Sequence, residues 1–76
     1  MTVEDALKEL RETFPANRFD VELIFRGEYD DVEVGVFAIT GEQYCETVFH
    51  TNALQIEKLT LDEAMAQVRK WGSEQL

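Results

Sequence analysis

The sequence predicts an α+β fold: an α-β-β-β-α two-layer sandwich whose three-stranded antiparallel sheet carries both helices on one face. Three observations lead there. Residues 2–13 and 60–71 each show an apolar stripe at helical spacing, the middle of the chain alternates apolar and polar residues, and turn-forming residues separate the alternating runs. At 76 residues the chain is one domain, 1–76. A domain of this size buries only about 60% of its unfolded surface. Its 45% hydrophobic content supplies a core, and the composition is that of a globular chain.

Thr2 followed by Asp5 has the spacing of an N-cap with an acid at the third helical position. Val3, Ala6, Leu7, Leu10 and Phe14 then form one stripe, so a helix is expected over 2–13, ended by Pro15, which disfavours the α conformation at Phe14. Phe19, Val21, Leu23 and Phe25 alternate with Asp20, Glu22, Ile24 and Arg26, giving a strand near 18–26. Gly27 to Asp31 read as the following turn. Val32, Val34, Val36 and Ala38 mark a second strand near 31–40, and the third runs near 43–50. A two-residue turn at Gly41-Glu42, with Gly41 at positive φ, pairs Thr40 with Gln43. Residues 51–59 fit either a short strand or a loop. Thr60 and Glu63 form a capping box, with Leu59 and Ala64 as its hydrophobic staple. Leu61, Ala64, Met65 and Val68 then line a helix over 60–71 that Gly72 stops.

That register places Cys45, Thr47 and Phe49 on the face under the helices, making Cys45 a small core residue. It leaves Phe37, Ile39, Tyr44 and Val48 on the uncovered face as a candidate interface patch rimmed by Glu33 and Glu46, with Ile24 beside it. The patch suits a homodimer contact or a target, unless residues from 51–59 fold over it.

The longest apolar run, Val36 to Ile39, is far too short to cross a bilayer, and the acids near the N-terminus do not fit a signal peptide. One cysteine makes no internal disulfide and no zinc site. Cys45 and His50 lie five residues apart on one strand and point to opposite faces, which separates a nucleophile from its base. Gly27 and Gly35 are isolated, so no phosphate loop is present, and Glu28 to Glu33 lack the ligand spacing of a calcium loop. These absences predict a binding protein that is not an enzyme, without cofactor or metal.

Sixteen acids against seven Lys and Arg give a formal charge of -9, which disfavours direct binding to nucleic acid or to an anionic membrane. Residues 28–63 alone carry nine of the acids and a single base, Lys58. The candidate partner-binding set is therefore Glu28, Asp30, Asp31, Glu33, Glu42, Glu46, Asp62 and Glu63. An array of carboxylates fits a Lys- and Arg-lined channel built for a nucleic-acid backbone.

The element order resembles the double-stranded-RNA-binding domain. Here Thr60-Leu61-Asp62-Glu63-Ala64 stands where that family places lysines, so RNA binding does not carry over. Leu59 to Ala64 after three strands also resembles the strand-to-helix junction of HicB-type antitoxins, without their glycine-rich strand pattern. The length, the acidity, the opening helix ending Leu10-Arg11-Glu12-Thr13-Phe14-Pro15 and the Thr-x-Asp-Glu-Ala helix start resemble short acidic phage-encoded inhibitors of the anti-CRISPR type. That resemblance implies a stoichiometric inhibitor in the cytoplasm of a bacterial host. Its partner would be a basic complex such as a CRISPR surveillance complex or a restriction enzyme. An antitoxin covering a basic toxin, and a homodimeric interaction domain with no inhibitory role, are the alternative readings.

Overall fold

A computed structural model describes residues 1–26, 31–42, 44–51 and 58–75. Its order is α1 (Val3–Thr13), β1 (Phe19–Arg26), β2 (Asp31–Ile39), β3 (Cys45–His50) and α2 (Leu61–Gln75), an α+β fold with an open antiparallel sheet ordered β1-β2-β3. Both helices begin as their sequences direct. The Thr2 hydroxyl accepts from the Asp5 amide at 3.1 Å. At α2 the capping box is reciprocal: the Glu63 amide donates to Thr60 Oγ1 and the Thr60 amide donates to Glu63 Oε1, each at 3.2 Å.

The core lies between the helices and one sheet face. Ala6, Leu10 and Phe14 from α1 meet Ala64, Met65 and Val68 from α2 over Val32, Val34 and Val36. Each fully buried side chain such as Leu10 or Met65 contributes about 1.5–3 kcal/mol through removal of apolar surface from water. At one end the aromatic rings continue the core. Trp71 stacks on Phe49 at 4.9 Å and on Phe14 at 5.9 Å, and Phe14 meets Phe19 edge-on at 5.6 Å.

Several expectations are corrected. Gly72 does not stop α2, which runs on to Gln75. Gly72 is buried inside the helix, and a Cβ there would make an ordinary van der Waals contact with the Phe14 ring at 3.8 Å. The β2–β3 turn is longer than two residues. The Thr40 amide donates to the Tyr44 carbonyl at 3.1 Å, and Gly41 takes no left-handed φ. This one-residue shift pairs Ile39 with Cys45, Phe37 with Thr47 and Ala38 with Glu46. Because side chains alternate, the shift turns Cys45 away from the helices, and it is exposed rather than core. A bulge between Val36 and Phe37 then restores Phe49 to the helix face opposite Val36. The predicted turn over 27–30 and the uncertain stretch 52–57 lie outside the described residues.

The edge of β2 beside β3 is filled by two further groups. The Val34 amide donates to Thr51 Oγ1 at 2.8 Å, while the Thr51 amide donates to the Val34 carbonyl at 3.0 Å. The Val32 amide donates to the Leu59 carbonyl at 2.7 Å, and Asp31 Oδ1 accepts from the Leu59 amide at 3.1 Å. Leu59 is thereby held at the entrance to α2.

Candidate functional site: the helix-free sheet face

Alternation along β1 and β2 sends Asp20, Glu22, Ile24 and Arg26 to the face away from the helices, opposite Phe37, Gly35, Glu33 and Asp31 respectively. Thr47 and Cys45 complete this face from β3. It divides into two chemically distinct ends.

At one end Glu33 is only 1% exposed. Its Oε2 lies 3.2 Å from Arg26 Nη2 and 3.6 Å from His50 Nε2. No hydrogen bond to Oε2 meets geometric criteria among the described residues, so the compensation is chiefly ionic. Burying a carboxylate is costly unless a cation stands beside it, and the Arg26 guanidinium occupies that place, with the half-buried His50 ring on the other side. Gly35 lies next to this cluster. The Phe37 ring folds back over it, with Cε2 only 2.8 Å from where a Gly35 Cβ would be. Any side chain at position 35 displaces that ring. His50, at the end of β3, is thus not isolated. It faces a buried carboxylate.

At the other end, Ile39 and Tyr44 border a shallow depression shared with Asp20, Glu42 and Cys45. Tyr44 is 76% exposed and Ile39 43%. This is a small apolar floor with two exposed carboxylates at its margin. A long cationic side chain fits such a place, its methylenes on Ile39 and Tyr44 and its charge between the carboxylates. No family model matches this chain, and no curated protein or solved structure is significantly similar to it.

The eight predicted partner-binding acids do not form one array. Glu28 and Asp30 lie outside the described residues. Asp31 is engaged with the Leu59 amide, and Glu33 is buried between Arg26 and His50, so neither offers a free carboxylate. Glu46 is on the helix side of the sheet, where it lines a groove with Val48, Phe14, Phe19 and Trp71. Asp62 lies 3.5 Å from the Met1 amine, and Glu63 is committed to the capping box. Among the described residues of this set, Glu42 alone lines the depression. The predicted apolar patch separates likewise: Phe37 and Ile39 share the helix-free face, Tyr44 joins Ile39 at its end, and Val48 lines the groove on the other side.

Sequence reasoning missed Asp20 and Glu22 as acids of this face. The signal was present, since both alternate with Phe19, Val21 and Leu23, but the dense acids of 28–63 drew the assignment away. It also missed Trp71, whose position three residues after Val68 continues the α2 stripe.

Proposed function

We propose that this chain is an acidic binding protein that engages a Lys- or Arg-bearing surface of a partner protein through the Ile39–Tyr44 depression and its carboxylates, Asp20 and Glu42. The observation that carries the reading is the pairing of an almost fully exposed Tyr44 with two exposed acids at the end of the sheet. The net charge of -9 accelerates encounter with a basic partner and makes association sensitive to salt. The partner class with the densest exposed Lys and Arg is the nucleic-acid-handling complex, and a bacterial CRISPR surveillance complex or restriction enzyme is the specific proposal.

The test is interference. Expression of the protein in bacteria with active CRISPR or restriction immunity should restore plaques of a targeted phage. Tyr44→Ala combined with Glu42→Lys should abolish that restoration while leaving the fold intact by circular dichroism. Unchanged immunity across both kinds of system refutes inhibition. Restoration that survives the double variant refutes the site.

A further inference from the structure

The two edges of the sheet differ. The β3 edge is short and interrupted by the bulge, and β3 spans only six residues. The β1 edge runs eight residues, Phe19–Arg26, without proline or bulge. The Ile39 amide donates to the Arg18 carbonyl at 3.0 Å, which fixes the phase of the β1–β2 ladder. In antiparallel pairing the hydrogen-bonded positions recur every second residue, so Arg18, Asp20, Glu22, Ile24 and Arg26 turn their main-chain groups toward β2. Phe19, Val21, Leu23 and Phe25 turn theirs outward; the Phe19 amide donates to the Pro15 carbonyl at 2.9 Å, and no hydrogen bond to the main-chain groups of Val21, Leu23 or Phe25 is found among the described residues. Phe25, an aromatic residue within this strand, is 56% exposed.

We infer that β1 pairs antiparallel with β1 of a second copy of this chain, about a two-fold axis at Leu23, joining two three-stranded sheets into one of six strands. Charge selects this register. A two-fold axis perpendicular to the sheet keeps each face on its own side, so the axis must pass through a residue position. Centred on Leu23, Asp20 stands opposite Arg26 of the partner subunit, twice by symmetry, and Glu22 stands opposite Ile24 of the partner subunit. Val21 meets Phe25 of the partner subunit and covers its exposed ring. The three facing pairs of outward main-chain groups, at 21, 23 and 25, then make about six hydrogen bonds. Centred on Glu22 instead, the strand sets Glu22 against itself and Arg26 against Arg18 of the partner subunit. Centred on Val21, it sets Asp20 against Glu22 of the partner subunit. Like charges directly opposite are destabilising. Centring on Ile24 pairs Glu22 with Arg26 of the partner subunit but keeps only two facing hydrogen-bonded positions.

A contact of one strand edge is small, so the dissociation constant expected is about 10–100 µM, the weak end of specific interfaces. Sedimentation velocity from well below to well above that range should show a species of twice the 8.8 kDa chain mass. Concentration-dependent amide shifts should concentrate in 19–26 and spare Cys45 to Thr47. Asp20→Lys should weaken the dimer by roughly tenfold, replacing two attractive cross-strand pairs with repulsive ones. Glu22→Lys makes the same change in net charge and should not weaken it. Leu23→Pro, which deletes an outward-facing donor at an edge position, should weaken it at least about tenfold while the monomer stays folded.

A chain monomeric throughout the range overturns the inference, and so do amide shifts that map to Phe37 and Ile39 in place of β1. Equal effects of Asp20→Lys and Glu22→Lys overturn the register. Should Leu23→Pro fail to fold, the two charge variants and the shift map still decide. Asp20 enters both readings, so partner binding is judged at Tyr44 and Glu42 and strand pairing by sedimentation, Leu23→Pro and the shift map, and either reading can fail alone.

Discussion

Replacing Thr51 with valine keeps the shape of the side chain and removes a single oxygen. That oxygen accepts the Val34 amide at 2.8 Å, and both residues are almost completely buried. In Thr51→Val the amide of Val34 has a methyl group where its acceptor stood, with water excluded from the site. Orphaning a buried main-chain donor costs about 1–3 kcal/mol. The chain as a whole is expected to be stable by about 4–11 kcal/mol, from the usual contribution per residue, so this one atom represents a sizeable fraction. In a domain of this length each kcal/mol lowers the melting temperature by about 4–8 °C, which predicts a drop of roughly 8–16 °C for a central value of 2 kcal/mol. Thr51→Ser is the matched control: it keeps the oxygen, loses one methyl and should cost about 1 kcal/mol or less. Thermal melts by circular dichroism, with urea titrations to give free energies at one temperature, measure both. If valine melts within 2 °C of wild type, or serine proves the less stable of the two, the Val34–Thr51 bond is not what secures this end of β2.

Three further outcomes are expected. Thr60→Ala should cost about 1 kcal/mol in urea titrations, since it removes the hydroxyl that accepts the Glu63 amide and leaves only the main-chain half of the capping box that starts α2. Arg69 grips Glu9 with two hydrogen bonds of 2.7 Å and thereby holds the Glu9 carboxyl below its ordinary range; the contribution is present above the unfolded carboxyl's pKa and lost as pH falls through the lowered folded value. Because both side chains are partly solvated, the difference between wild type and Glu9→Gln should be no more than about 0.5–1 kcal/mol at neutral pH and vanish in acid, as read from urea midpoints across the acid range. Gly35→Ala should expel the Phe37 ring from its place over residue 35, visible as loss of the ring-current shifts on His50.

The parts legible in the sequence are those decided within a few residues. Thr2 with Asp5 and Thr60 with Glu63 announce both helix starts, because a cap and its partner sit on one turn. Strand order and the helix-bearing face followed from alternation. The register of β3 did not, because it depends on one extra turn residue and a bulge that reverses its effect six residues later, and neither has a marker in the local pattern. Glu33 illustrates the limit for the site. Its alternation with Val32 and Val34 marks it as outward-facing, which it is, yet Arg26 and His50 approach it from the two neighbouring strands and convert an outward carboxylate into a buried one. Gly72 was misread for a related reason: glycine stops a helix only where the chain turns away, and here α2 continues through it to Gln75.

The junction at Leu59 bears on how the chain folds. The β1–β2 and β2–β3 pairings join segments close in sequence and can form early, before the ends of the chain meet. The Asp31–Leu59 bond instead spans 28 residues and must close a loop that includes β2 and β3. Seating Leu59 against Val32 and docking α2 are therefore expected on the late, downhill side of the folding barrier. Changes at Leu59 or along α2 should then act mainly by hastening unfolding, whereas changes in the hairpins slow folding itself. The lifetime of the native state should then shorten when that clasp, or the packing of Met65 and Val68 beside it, loosens its hold on the last helix.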